Sequence, residues 1–124
     1  LILLDSYGWI EYFTDGPRAK KYEKYVEAIN EDNTVIPTIV VYEVYRKVKA
    51  SAGEEGAIEA YAQLRRARIV ELDERIALRA ADVSLALNLG MADAVVYATA
   101  QTFDAKVVTS DVHFKGMKGV EFIE

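Results

Sequence analysis

Apolar and polar positions follow one another along this chain in two rhythms. Short apolar runs at Ile2–Leu4, Thr34–Ile36, Ile69–Leu72, Lys106–Thr109 and Val120–Ile123 read as strands. Their Val and Ile content suits strands covered on both faces, as in a parallel sheet. Stretches with helical spacing lie between them. Ser6–Phe13 predicts a short helix that ends near the turn signal Asp15-Gly16-Pro17. Ala19–Asn30 sets Tyr22, Tyr25, Val26 and Ile29 on one helical face. Thr38, after Pro37, starts a helix through Lys49 that ends near Gly53, and another covers Glu55–Arg66 with Ile58, Tyr61 and Ala62 inward.

Glu74–Asn88 is the most periodic segment. Ile76, Ala80, Val83 and Leu87 form one stripe, and Leu78, Ala81, Leu85 and Leu89 form a second beside it. So wide an apolar surface fits either a deeply buried helix or one that meets the core on one side and a partner subunit on the other. A glycine C-cap in Asn88-Leu89-Gly90 is expected to stop it. Met91–Phe103 is the last long helix. Strands alternating with helices predict an α/β fold with a mainly parallel sheet.

Composition narrows the function classes. The 124 residues suit one domain, 1–124, and 52% apolar content supplies a core for it. No apolar run approaches the roughly 20 residues of a membrane span. Leu1-Ile2-Leu3-Leu4 lacks a basic flank and stops at Asp5, so it reads as a first strand and not a leader. The missing initiator methionine leaves room for residues ahead of Leu1. The chain has no cysteine, which removes disulfides, thiolate metal sites and cysteine nucleophiles and agrees with a reducing, cytoplasmic location. A single histidine, His113, leaves no histidine-rich zinc site. Its place before Phe114 suggests loop packing, with a general-base role the lesser reading. Chemistry must therefore rest on carboxylates, hydroxyls, amines or a bound ion.

Four carboxylates stand out. Asp5 follows the first strand directly, and ligands of open α/β sheets bind beyond the carboxyl ends of strands. Taken alone, Asp5 reads more readily as an N-cap for the next helix. Asp111 ends another strand, with Thr109 and Ser110 offering hydroxyls beside it, and alone reads as a turn or cap residue. Asp93 opens the last helix close to its apolar face of Ala92, Val95, Val96 and Thr99, where an acid needs a partner or a metal. Glu43 is the most telling, because it lies in the apolar run Thr38-Ile39-Val40-Val41-Tyr42-Glu43-Val44-Tyr45. The bland account of Glu43 is an ion pair with Arg46 or Lys47. Together the four are placed to converge at one sheet edge. Oxygen ligands without His or Cys select Mg²⁺ or Mn²⁺, as one ion or a pair. The net charge of −5 opposes nucleic-acid binding, but −5 + 4 = −1 remains once the four acids are set aside.

These residues resemble a known family. Leu3-Leu4-Asp5-Ser6-Tyr7-Gly8-Trp9-Ile10-Glu11-Tyr12-Phe13 is similar to the opening of VapC-type PIN-domain toxins. So are Met91-Ala92-Asp93-Ala94-Val95-Val96-Tyr97-Ala98-Thr99-Ala100 and Val107-Val108-Thr109-Ser110-Asp111-Val112-His113-Phe114, with Glu43 matching the second acid. The resemblance covers the whole chain in order. One departure is Tyr45-Arg46, where many relatives carry a small residue or Gly soon after the second acid. The resemblance implies a three-layer α/β/α fold with a parallel five-stranded sheet in the order 3-2-1-4-5. It implies Mg²⁺- or Mn²⁺-dependent cleavage of single-stranded RNA, a homodimer, and a small cognate antitoxin. Asp5, Asp93 and Asp111 would hold the metal, Glu43 the metal or its water, and Ser6 and Thr109 would orient these ligands. Arg46, Lys47, Lys49, Lys115 and Lys118 are the candidate contacts to RNA phosphates, and Trp9, Tyr12 and Tyr42 candidate base-stacking rings, with core packing favoured for Trp9. The alternatives are an RNA-processing nuclease that is not a toxin, a non-catalytic interaction module, and a phosphotransfer receiver or phosphatase on a doubly wound sheet.

Overall fold

A computed structural model describes residues 1–124. Five strands form one sheet: β1 (Ile2–Leu4), β2 (Thr34–Pro37), β3 (Arg68–Val70), β4 (Lys106–Thr109) and β5 (Val120–Phe122). All pairings are parallel and the order is β3-β2-β1-β4-β5. The predicted order is therefore observed. It differs from the 2-1-3-4-5 order of receiver domains, which removes the receiver alternative. The helices are α1 (Ser6–Phe13), α2 (Ala19–Glu27), α3 (Thr38–Leu64), α4 (Glu74–Leu87) and α5 (Met91–Thr102). Right-handed crossovers put the connections running from β1 to β3 on one face of the sheet and those leading back to β4 on the other. In keeping with this, α1 packs on α2 and α3, while α4 packs on α5.

The central strands need this cover because their side chains are apolar on both faces. Leu3, Leu4, Val35, Ile36, Val107 and Val108 are fully buried. Trp9 is equally buried and donates its indole N–H to the Leu4 carbonyl at 3.1 Å, so it belongs to the core as expected. No single helix is long and apolar enough to cross a membrane.

Most predicted boundaries hold to within a few residues, and the differences have local causes. The second helix ends at Glu27 because Asn30 turns the chain, its Oδ1 accepting from the backbone N–H groups of Asp32 and Asn33. Strand β3 begins at Arg68, where pairing with Val35 starts. The helix before Gly53 and the helix after it meet end to end, separated by one non-helical residue (φ 79°, ψ −178°). The left-handed residue that ends α4 is Asn88, not Gly90; Gly90 instead caps the start of α5. Burial follows the first stripe except at its end, where Leu87 is exposed, and of the second stripe only Leu89 is buried. Ile76, Ala80 and Val83 are in the core, whereas Leu78 is 66% and Leu85 87% exposed, which excludes the deeply buried helix.

Close packing of α1 depends on Gly8. A Cβ there would lie 2.5 Å from Cε1 of the buried Tyr22 ring and 2.9 Å from Cδ1 of Leu4. Gly8→Ala is therefore expected to lower stability by about 1–3 kcal/mol through overpacking. Urea denaturation checks this; an unchanged midpoint would show that Tyr22 can yield.

Candidate active site

The register of β1 and β4 builds the site. Leu4 pairs with Val108, so the residues after both strands leave the sheet edge side by side. Asp5 emerges from β1, and Thr109, Ser110 and Asp111 emerge from β4. Helix α3 begins after β2 on the other side of β1 and carries Glu43 on its second turn. Helix α5 brings in Asp93 from its first turn. The result is one open cleft of about 360 Å³ lined by Asp5, Glu43, Asp93 and Asp111, with Ser6, Tyr7 and Glu11 at its margin and Ile10 and Val96 as apolar wall. The four acids that are distant in sequence share one cavity.

No lysine or arginine pairs with any of them. The ion pair considered for Glu43 is absent, and Arg46 and Lys47 point to solvent. Asp5 occupies the N-cap position of α1 but makes no capping hydrogen bond. Its Oδ2 accepts instead from the Thr109 hydroxyl at 2.7 Å, and Thr109 Oγ1 in turn accepts from the Asp111 N–H at 2.9 Å. Asp111 does cap the short 3₁₀ turn Val112–Phe114, accepting from the His113 N–H at 2.9 Å. Asp5 Oδ1 is buried and has no hydrogen-bond partner.

Crowded carboxylates without cations resist ionisation. Burial pushes the Asp5 carboxyl up to about 7; the Thr109 hydroxyl and the nearby Gly8 N–H oppose the rise, and Asp111 and Asp93 add smaller repulsions. Burial also raises the pKa of Glu43, with Asp93 and Asp111 contributing and the Ser6 hydroxyl opposing. Asp93 is raised for the same reason, first by burial and then by Asp111. A buried acceptor without a donor, among three further carboxylates, is the chemistry of a divalent-cation site. The residues present fit Mg²⁺ or Mn²⁺.

His113 is the main correction. Its ring is not packed in the loop: it is 67% exposed, with Nδ1 3.0 Å from Asp93 Oδ2 and 3.2 Å from Asp111 Oδ1. It is Phe114 that is buried. The cations divide. Lys49 lies over the Tyr45 ring, and Lys115 lies over the Phe122 ring and 3.5 Å from Glu124. Lys118 lines a different hollow, with Arg79 and Gly119, toward the start of β4 and β5 and away from the acids. Sequence reasoning passed over Arg18, whose guanidinium stacks on Tyr7 and donates to its hydroxyl at 2.8 Å, beside the cleft. Tyr42 is 61% exposed and Tyr12 packs on Phe13. The only advance signal for Arg18 was its position in the turn after α1, which does not specify a partner.

Comparison with known proteins agrees with this geometry. The family model for the PIN domain matches residues 2–120. No curated protein matches by sequence. Among solved structures, a toxin–antitoxin complex from Klebsiella pneumoniae is 24% identical with a TM-score of 0.77, over 98% of this chain and 96% of that one. VapC20 of Mycobacterium tuberculosis, described as a toxin that cleaves the sarcin-ricin loop, is 14% identical with a TM-score of 0.80, over 100% and 98%. PAE2754 from Pyrobaculum aerophilum is 16% identical with a TM-score of 0.69, over 98% and 89%.

The raised pKa of Asp5 has a sign that can be measured. Between the ordinary value of 3.8 and about 7, the folded chain keeps a proton that the unfolded chain has lost. Stability therefore falls as pH rises through that window and levels off above it. In chelator the melting temperature of the parent should fall over this range more than that of Asp5→Asn, and Mg²⁺ or Mn²⁺ should restore it at the alkaline end. Calorimetry across pH checks this; equal slopes in parent and variant would contradict it.

Proposed function

The chain belongs to the PIN-domain family, and from that premise we propose that it is a Mg²⁺- or Mn²⁺-dependent endoribonuclease acting on single-stranded RNA. Members of the family are nucleases. One observation carries the proposal: four carboxylates meet in one cleft with no lysine or arginine partner and with Asp5 Oδ1 left unsatisfied. Asp5, Asp93 and Asp111 would hold the metal, and Glu43 would reach it directly or through water. When bound, the ion supplies Lewis acidity toward a phosphoryl oxygen and lowers the pKa of a water.

The protein's own residues prepare this chemistry. Thr109 fixes the Asp5 carboxylate through Oδ2 and leaves Oδ1 without a side-chain donor. The Ser6 hydroxyl favours the ionised form of Glu43. Ile10 and Val96 exclude water from one wall. Tyr7 at the rim and Tyr42 on α3 present faces on which unpaired bases can stack, which favours a single strand over a duplex. Arg18, Arg46 and Lys47 offer positive charge to the phosphates, with Lys49 and Lys115 further candidates; Lys118 lines a separate hollow and ranks behind them.

We further propose that one PIN domain spans 1–124 and acts as the toxin of a toxin–antitoxin pair. The similar structures that are such complexes support this. Ile58, Tyr61 and Ala62, expected to face inward, are exposed because Ala57, Ala60 and Leu64 take the core side; Ile58 and Tyr42 on α3 thus offer apolar contacts for an antitoxin. The open stripe of Leu78 and Leu85 on α4 suits a homodimer.

Asp93→Asn should fold normally and lose metal-dependent cleavage of a labelled single-stranded RNA by at least about a hundredfold. Unchanged cleavage would place the chemistry elsewhere. Thr109→Val should weaken Mn²⁺ binding by roughly 10–100-fold, as loss of an orienting group does, measured by calorimetric titration. Leu85→Glu should convert a dimer to monomer in analytical ultracentrifugation; a dimer that persists would exclude this face.

A further inference from the structure

We infer that His113 is a metal ligand through Nδ1 and that it biases the site toward Mn²⁺ over Mg²⁺. This deepens the nuclease proposal and rests on it. Three ligand atoms, one each from Asp93, Asp111 and His113, lie within 4.8 Å of one another. The imidazole belongs to this group by construction. The His113 backbone N–H donates to Asp111 Oδ1 at 2.9 Å, which anchors the main chain beside the acids. Nδ1 then stands 3.0 Å from Asp93 Oδ2 and 3.2 Å from Asp111 Oδ1. The ring has no other hydrogen-bonding partner, and its exposure leaves it free to adjust as an ion enters. An independent pointer to a cation is the Asp5 carboxyl: the residue lines the same cleft, is more than nine-tenths buried, and its Oδ1 accepts no hydrogen bond.

The chemical consequence follows from donor type. A site of carboxylates alone is hard and suits Mg²⁺, which prefers oxygen and keeps its water. One imidazole nitrogen shifts preference toward first-row transition ions, of which Mn²⁺ tolerates mixed oxygen and nitrogen donors. The expectation of an oxygen-only site thus gives way to an oxygen set with one nitrogen.

A rival role has the opposite signature. If the ring merely served as a positive counter-ion to Asp93 and Asp111, it would compete with the metal, and its removal would tighten metal binding. As a ligand, its removal must loosen it.

The experiment is Mn²⁺ titration of the full chain, followed by electron paramagnetic resonance, with His113→Ala and His113→Gln alongside. Both changes are at an exposed ring, and circular dichroism confirms folding. The parent should bind Mn²⁺ and show nitrogen-14 coupling from a directly bound imidazole. Both variants should lose that coupling and bind Mn²⁺ roughly tenfold more weakly, while Mg²⁺ affinity, read by competition, changes by about twofold or less. Mn²⁺ binding without nitrogen coupling, or tighter Mn²⁺ binding by the variants, would overturn the inference and leave the nuclease proposal standing. A parent that binds no Mn²⁺ at all would overturn both.

Discussion

Like charges held a few ångströms apart repel, and a protein that gathers four carboxylates must restrain them with something other than their own interactions. Here the restraint is the pairing of β1 with β4. Leu3 and Leu4 lie against Val107 and Val108 in parallel register, and all four are fully buried. Sliding either strand by one residue would unpack these side chains and shift Asp5 by about 3.3 Å against Asp111. The acids at the strand ends therefore cannot separate without exposing the centre of the core. The Thr109–Asp5 hydrogen bond completes the restraint across the same two strands. Repulsion is stored against packing, and the proposed divalent ion would relieve it.

How much of this could be read in advance depends on whether the cause is local. Strand ends are marked by the change from Val and Ile to polar residues, so Asp5 and Asp111 could be placed from neighbours alone. Glu43 announced itself by the apolar residues around it. Their convergence needed the strand order, which the ordered resemblance supplied. His113 was misjudged because its environment is made by α5, twenty residues earlier in sequence. Its neighbour Phe114 carried the packing signal, and adjacent residues in a short turn face opposite ways. Lys118 was misplaced for a related reason: closeness to Asp111 in sequence hides a turn that carries the chain back toward the start of β5.

The end of α4 shows a smaller failure of the same kind. Gly90 looked like the helix stop because glycine adopts left-handed backbone without strain, yet Asn88 adopts it at φ 55° and does the stopping. Gly90 was then available to begin α5, and Ser84 binds the intervening Leu89 carbonyl at 2.7 Å. This tight corner sets where α5 starts, and hence where Asp93 enters the cleft. A boundary error of two residues is thus relevant to the site as well as to the fold.

Gly53 divides what would otherwise be one 27-residue rod. Its combination of φ and ψ is open essentially to glycine alone, so the break is written into the backbone and does not depend on neighbouring side chains. The segment with Glu43 is thereby mechanically insulated from the segment with Ile58. The outer arm is held by its own core residues, Ala60 and Leu64, so its exposed side can change while the inner arm keeps its carboxylate in register. A change of binding partner and the upkeep of the chemistry become separable problems, one on each side of a single residue.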